Sequence, residues 1–144
     1  MKYWDSSALL PLLVREESTK ALSKLLSGDR SLLVWWGSEV ECASALCRLE
    51  RKGNLDPDGV STAMERLAVL RASWHEVQPT DTVRETAIRL LRTHDLQAAD
   101  ALQLAAARVA SEGHPRSLPF VCLDKRLRRA AVREGFPVEP ARGE

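Results

Sequence analysis

The sequence predicts an α/β fold, a three-layer α/β/α sandwich whose central sheet is parallel. Two observations predict this class: short apolar runs alternate with longer segments of helical periodicity, and capping or turn residues separate them. Strands that alternate with single or paired helices are typical of parallel sheets covered on both faces. No internal repeat, low-complexity tract or linker interrupts the 144 residues. We therefore expect one domain over residues 1–140 and a loose tail over 141–144.

Five short segments are strand candidates, three of them strongly apolar and two weaker: residues 3–4, 32–36, 120–123, 75–78 and 137–139. Trp4, Trp35 and Trp36 fall inside the first two segments. For these side chains the sequence therefore favours packing in the core over stacking on nucleic-acid bases.

Helical signals fill the intervening segments, and we expect helices around residues 21–28, 40–53, 57–67, 81–91, 98–110 and 125–135. Asp56 followed by Pro57 is a strong start signal, because it combines a capping side chain with a first-turn proline. Thr80 is a second capping residue. Gly28 and Gly135 mark helix ends.

Charge gives no global signal for a polyanionic partner. Lys and Arg total 21 against 20 Asp and Glu, a net charge of +1. Residues 1–72 carry 10 basic and 10 acidic side chains, and residues 73–144 carry 11 and 10. Any electrostatic attraction for nucleic acid must therefore be local.

The cysteines and the hydropathy pattern predict an intracellular protein. Cys42, Cys47 and Cys122 have no CxxC spacing and lie in apolar-patterned segments, which favours buried free thiols over a disulfide framework or a zinc site. No apolar run has the length of a signal peptide or of a membrane span. We expect a cytoplasmic protein without a membrane partner.

Four carboxylates stand at strand-to-helix junctions. Asp5 and Asp124 each follow a predicted strand directly, whereas Glu41 and Asp100 lie in the first turns of helices. Each has a structural interpretation: Asp5 and Asp124 as helix N-caps, Glu41 as the partner of Ser38 in a capping box, and Asp100 as a favourable charge on a helix dipole. Because the carboxyl ends of parallel strands meet at one edge of the sheet, we expect the four to converge.

A convergent acid cluster without a comparable set of basic partners repels itself, and a hard divalent cation relieves that repulsion. Oxygen ligands are typical of Mg²⁺ or Mn²⁺. Asp100 adds to this interpretation, because the Ala and Leu residues around it predict a buried face, where an unpaired carboxylate is costly. A metal site of this kind supports metal-assisted hydrolysis of a phosphodiester.

Two groups of basic residues follow the acids. Immediately after Asp124 come Lys125, Arg126, Arg128, Arg129 and Arg133, for which we favour phosphate contact because the planar guanidinium suits a nucleic-acid backbone. Arg48, followed by Arg51 and Lys52, lies beyond Glu41. Here a solvated helix face and phosphate contact stay equally open.

Four stretches of the sequence carry a resemblance: YWDSSAL at 3–9, ECASALCR at 41–48, LQAADALQLA at 96–105 and LDKRL at 123–127. In this order and spacing they resemble the PIN-domain family, particularly its VapC-type toxin ribonucleases. The resemblance covers nearly the whole chain. It implies a five-stranded parallel sheet with strand order 3-2-1-4-5.

The same resemblance implies an activity and a set of residues. It implies a Mg²⁺- or Mn²⁺-dependent endoribonuclease in which Asp5 and Asp100 are the main metal ligands, while Glu41 and Asp124 complete the site and help to orient the nucleophile. Ser6 also matches the pattern and is a candidate contact to the water shell of the metal. An RNA substrate, a homodimer and a small inhibitory antitoxin protein are implied as partners.

Two other functions are alternatives to the endoribonuclease. A non-catalytic PIN-like module that binds RNA or protein is the first, although such a module has no reason to retain all four acids. A phosphotransfer enzyme of the haloacid-dehalogenase or receiver type is the second. Enzymes of the haloacid-dehalogenase type place a second acid two residues after the strand-end Asp, and here Ser7 occupies that position.

Glu39 lies two residues before Glu41. Because the spacing from Glu to Arg selects Glu41, we expect Glu39 to be a surface residue.

Overall fold

The computed structural model describes residues 1–141, and its centre is a parallel sheet. The strands are β1 Lys2–Trp4, β2 Leu32–Trp35, β3 His75–Val77, β4 Phe120–Val121 and β5 Val138–Glu139. Their order is β3-β2-β1-β4-β5, and each neighbouring pair is parallel. The predicted fold class, the five-stranded sheet and the strand order are therefore confirmed.

Seven α-helices connect the strands within the described residues: α1 Ser6–Leu13, α2 Thr19–Gly28, α3 Ser38–Arg51, α4 Pro57–Ser73, α5 Asp81–Thr93, α6 Ala98–Ala110 and α7 Lys125–Arg133. The predicted caps are present. Asp56 accepts a hydrogen bond from the Gly59 backbone N–H at 2.7 Å, and the Thr80 hydroxyl accepts one from Val83 at 3.3 Å. These side chains satisfy helix N–H groups that have no partner inside the helix.

The two faces of the sheet are covered by different helices, as alternation along β1 shows. Trp4 points into a core that it shares with residues of α1 to α4, such as Leu46. Tyr3 points to the opposite face, where residues of α5, α6 and α7 pack, and its ring stacks on Phe120 at 5.1 Å between centroids. Successive side chains of a strand alternate between faces, so β1 anchors both layers.

The strand order reverses at β1, so the carboxyl end of this strand is the switch point of the sheet. From β1 the chain runs to β2 on one side of the sheet, whereas β4 lies on the other. Open α/β sheets bind ligands at such a reversal, outside the carboxyl ends of the strands. The register pairs Trp4 with Val121, and the Asp5 backbone N–H donates to the Val121 carbonyl at 2.9 Å. Residues that follow β1 and β4 therefore meet at this edge of the sheet.

Four of the predicted strands are too long at their ends. The run 120–123 is strand only at Phe120–Val121, and the runs 75–78 and 137–139 each exceed the observed strand by one residue. The run 32–36 predicts strand throughout, but β2 ends at Trp35, and Trp36 lies in a turn with 51% of its surface exposed. The expectation that Trp36 packs in the core therefore fails, whereas Trp4 and Trp35 are buried. The expectation of one domain over 1–140 stays a prediction. Residues 142–144 of the predicted tail lie outside the described residues.

Candidate active site

Asp5 lies at the carboxyl end of β1 and is 4% exposed. Its Oδ2 accepts hydrogen bonds from the Ser7 hydroxyl at 2.5 Å and from the Ser7 backbone N–H at 3.1 Å. The Cys122 thiol makes a longer contact of 3.6 Å to the same oxygen. Burial raises the pKa of Asp5, and these hydrogen bonds oppose the rise. Asp5 is therefore a buried carboxylate held in one orientation, and it is also the predicted N-cap of α1.

Glu41 lies in the first turn of α3, on the opposite side of the sheet from α6. Burial raises the pKa of Glu41 from 4.5 to about 7; the carboxylates of Asp5 and Asp100 add to the rise, and a hydrogen bond from Gln103 opposes it. That bond joins Gln103 Nε2 to Glu41 Oε1 at 2.6 Å. The alternative interpretation of Glu41 as a capping-box partner is wrong, because the N-cap of α3 is Gly37, without a side-chain bond.

Asp100 and Asp124 lie at the starts of α6 and α7. Burial raises the pKa of Asp100 from 3.8 to about 6; the carboxylates of Asp124 and Asp5 add to the rise, and the Arg126 guanidinium opposes it. Asp124 is an exposed residue whose Oδ1 caps α7 by accepting from the Leu127 backbone N–H at 3.0 Å. Its predicted N-cap role is confirmed, and that role leaves Oδ2 free of the cap.

The structure links the four predicted carboxylates electrostatically through Asp5 and Asp100. Asp5 and Asp100 raise the pKa of Glu41, while Asp5 and Asp124 raise that of Asp100, so each acid is coupled to at least one other. Among the ion pairs of the described residues, none involves any of these four side chains. The cluster therefore has a charge imbalance that a bound cation would correct.

The donor chemistry of this cluster fits a hard divalent cation. Within residues 1–141, no group of three or more His, Cys, Asp or Glu side chains is arranged to hold a metal ion directly. Mg²⁺ in proteins usually keeps several of its waters and binds through only one or two carboxylates, with other groups reached through water. An all-oxygen set of carboxylates suits that mode of binding, and a bound cation would stabilise the ionised forms that burial and mutual repulsion disfavour.

The basic residues near the site differ in how they are used. Arg126 lies close enough to Asp100 to lower its pKa, and it also pairs with Asp95 at 3.7 Å. Arg128 is tied to the protein instead, because it donates to the Cys122 and Pro140 carbonyls, both at 2.7 Å. Lys125, Arg129 and Arg133 line a groove along α7 together with Arg128, and Arg48 is exposed on α3.

Two side chains that shape the site were not identified from the sequence. Ser7 provides a hydroxyl that binds Asp5, and that same hydroxyl accepts from the Leu123 backbone N–H at 2.9 Å. The expected contact of Ser6 with the water shell of a metal stays a prediction. Ser6 contributes a backbone N–H, which lowers the pKa of Asp5. Gln103 is the second missed residue. The only signal for it was a lone amide in the Ala- and Leu-rich segment that forms α6.

The chain has no membrane-spanning candidate among its described helices: none is both long enough and apolar enough to cross a bilayer. The three cysteines are free; Cys42 and Cys122 are buried as predicted, whereas Cys47 is only half-buried. Burial raises the pKa of Cys122 well above its ordinary range. Its thiol therefore remains protonated and serves as a donor to Asp5.

Comparisons with known proteins agree with this architecture. Two curated relatives, Ribonuclease VapC45 of Mycobacterium tuberculosis strain CDC 1551 / Oshkosh and Ribonuclease VapC49 of strain ATCC 25618 / H37Rv, are each 32% identical over 139 residues. The alignments cover 96% of this chain and 94% of each relative.

Solved structures show the same fold. PAE2754 from Pyrobaculum aerophilum has a TM-score of 0.60 and 24% identity, over 90% of this chain and 79% of that chain. FitAcB from Neisseria gonorrhoeae has a TM-score of 0.64 and 15% identity, over 96% of both chains. The model of the PIN domain matches residues 2–133. The chain therefore belongs to the PIN-domain family, as the four sequence stretches indicated.

Proposed function

We propose that this protein is an endoribonuclease, the toxin of a toxin–antitoxin pair, that hydrolyses RNA with Mg²⁺ or Mn²⁺ at the cluster of Asp5, Glu41, Asp100 and Asp124. The observation that carries the proposal is this cluster itself: four acids at the carboxyl edge of a parallel sheet, without an ion-pair partner among the described residues. The 32% identity to two proteins named as ribonucleases supports the substrate class.

The contacts of each acid indicate its proposed role in the site. Asp5 and Asp100 are the proposed direct ligands, and Ser7 holds the Asp5 carboxylate in place through its hydroxyl and backbone N–H. Glu41 is held at Oε1 by Gln103, so that Oε2 is the oxygen available to water or a cation. Asp124 completes the site from the N-terminus of α7. A bound divalent cation supplies Lewis acidity toward the phosphodiester and acidifies water.

RNA would approach from the side of α7. Arg126 is the basic residue whose charge already acts on Asp100, so it is the first candidate for contact with the scissile region. Lys125 and Arg129 are the next candidates; they line the groove of α7, and Arg126 is not part of that lining. Both hydrogen bonds of Arg128 go to protein carbonyls. With a net charge of only +1, RNA affinity should be modest and sensitive to salt.

The proposal is tested with Asp5→Asn and Asp100→Asn on a panel of RNAs in Mg²⁺ or Mn²⁺. Both variants should lose more than about 100-fold in kcat/KM, since they remove proposed ligands rather than supporting groups. Glu39→Gln is the matched control, because Glu39 is on the same helix as Glu41 but pairs with Arg71 at 2.9 Å. Wild-type protein that cuts no RNA, or aspartate variants that cut as well as the wild type, would refute the proposal.

Metal binding provides a test that does not depend on finding the right RNA. Mn²⁺ at about one hundred times its Kd should stabilise the wild type by about 2.7 kcal/mol in thermal or urea unfolding. Asp5→Asn should abolish most of that gain. If neither calorimetry nor unfolding detects Mn²⁺ binding, the non-catalytic PIN-like binding module becomes the better description. The lack of a preassembled three-ligand group within residues 1–141 is the observation that favours this module.

The remaining parts of the proposal concern assembly and place of action. We expect a homodimer, a small antitoxin protein that silences it, and activity in the cytoplasm, where RNA is available. Helices α3 and α4 carry exposed Val40 and Val69, respectively, which makes them the first candidates for a dimer interface. Light scattering of the purified chain, alone and after co-expression with the product of an adjacent small gene, checks both assemblies.

A further inference from the structure

A buried amide lies directly behind the acid cluster. Gln103 is 0% exposed and lies on the inner side of α6, between apolar residues such as Leu104 and Ala106 that pack in the core. Its side chain makes three hydrogen bonds. It accepts from the Tyr3 hydroxyl at 2.6 Å, and its Nε2 donates to Glu41 Oε1 at 2.6 Å and to the Ser38 hydroxyl at 3.1 Å.

The partners of the amide fix its orientation. Nε2 is the group that faces Glu41, because the amide nitrogen is the donor and Glu41 Oε1 the acceptor in their 2.6 Å bond. On the other side of the amide, the Tyr3 hydroxyl donates to the amide oxygen at 2.6 Å. Both N–H groups of Nε2 and the carbonyl oxygen are then used. A buried polar network that is fully satisfied holds its members in one arrangement.

The position of Gln103 links the two helical layers at the edge that carries the acids. Gln103 belongs to α6, which packs on one face of the sheet, whereas Ser38 and Glu41 belong to α3 on the other. Asp100 lies one turn before Gln103 on α6, so the two residues lie on the same side of that helix. The bond to Glu41 therefore sets the position of Glu41 relative to Asp100.

We propose that Gln103 is a positioning residue that, through its bond to Glu41 and with Tyr3 and Ser38 as its own supports, holds the Glu41 carboxylate in the orientation required by a cation and its waters. This inference rests on the proposed metal-dependent nuclease function. An apolar residue of similar length would satisfy the packing of α6 equally well, and it would leave Glu41 without this donor. Core packing alone therefore does not explain why a buried amide occupies position 103.

The test compares Gln103→Met with Gln97→Met. Methionine keeps the length and burial of the side chain but removes the amide, and Gln97 is an exposed residue of the same type whose side chain does not cap α6. Mn²⁺ affinity is measured by calorimetry, and kcat and KM on a cleaved RNA are measured at saturating metal. Thermal unfolding of the metal-free proteins reports on the fold.

We expect Gln103→Met to lose about 10–100-fold in Mn²⁺ affinity or in kcat, the usual effect of removing a group that orients a ligand. KM for RNA should stay within about twofold, since a fully buried amide does not touch the substrate. Tyr3→Phe removes one support of the amide. Its Mn²⁺ affinity and kcat should lie between those of the wild type and of Gln103→Met. Gln97→Met should match the wild type in every measurement.

The outcomes separate this inference from the proposed function. A wild type that binds Mn²⁺ and cleaves RNA, with a folded Gln103→Met that does both equally well, overturns the role of Gln103 and leaves the proposed function intact. A wild type that does neither overturns both. If Gln103→Met does not fold, Gln103→Asn and Tyr3→Phe carry the same comparison, because asparagine is too short to keep the bond to Glu41. Wild-type metal affinity and kcat in both of those variants would overturn the inference.

Discussion

Replacing Glu41 by glutamine should make the metal-free protein more stable at alkaline pH. The pKa of Glu41 is about 7 in the folded chain against an ordinary value of 4.5. At about 1.36 kcal/mol per pH unit, this difference corresponds to about 3.4 kcal/mol for a fully buried group. Glu41 is only partly buried, and solvent screening reduces the effect, so we expect a gain of about 1–2 kcal/mol.

The gain should depend on pH with a definite sign. The folded wild type binds the Glu41 proton more tightly than the unfolded chain, so this contribution to stability is fully present below about pH 4.5 and is lost as pH rises through about 7. Glutamine resembles the protonated acid at every pH. The difference in the free energy of unfolding between variant and wild type should therefore be near zero at about pH 4 and reach its full size at about pH 8.

Urea unfolding with EDTA at the two pH values measures this difference. Glu39→Gln is the control: it makes the same substitution on the same helix, but its side chain pairs with Arg71 on the surface. It should change stability by no more than about 1 kcal/mol, without the pH dependence. If Glu41→Gln is no more stable than the wild type at the higher pH, or gains equally at both, Glu41 is not a carboxylate destabilised by its surroundings.

Two further predictions concern the support of the acids and the RNA surface. Ser7→Ala removes the hydroxyl that donates to Asp5 and accepts from Leu123, so metal-free stability should fall by about 1–3 kcal/mol, as urea unfolding would show; an unchanged midpoint would mean that these bonds contribute nothing. Arg126→Gln should weaken RNA binding and reduce the slope of log affinity against log salt by about one. Arg48→Gln makes the same measurement on the exposed face of α3. Equal slopes for the wild type and Arg126→Gln would show that Arg126 is not part of the RNA surface.

Much of the fold could be predicted from the sequence because its signals are local. Capping by Asp56 and Thr80 and the apolar runs of β1, β2 and β4 depend on neighbours within a few residues. The end of β2 is different, since it depends on where the partner strand stops. The Trp36 backbone N–H donates to the Val77 carbonyl at 3.0 Å, at the last residue of β3. An apolar run alone does not contain that limit.

The four acids could be predicted because their positions follow from topology: each comes at a strand end or a helix start that a parallel sheet gathers at one edge. Their supports could not. The role of Ser7 depends on the cap geometry at Asp5, in which the residue two positions on presents both its N–H and its hydroxyl. Gln103 meets Glu41 across 62 positions of sequence, and no local pattern reveals such a pairing.

The cluster of basic residues on α7 shows why composition says little about an RNA surface. Arg126 and Arg128 are two positions apart and identical in type, yet one acts on the acid site while the other ties α7 to the ends of β4 and β5 through the Cys122 and Pro140 carbonyls. A helix turns about 100° per residue, so neighbours of like charge face different surroundings. The net charge of +1 averages over such differences. The four acids have no ion-pair partners among the described residues, so their negative charge repels a polyanion. The phosphate backbone can therefore approach that edge only where positive charge compensates the charge of the acids.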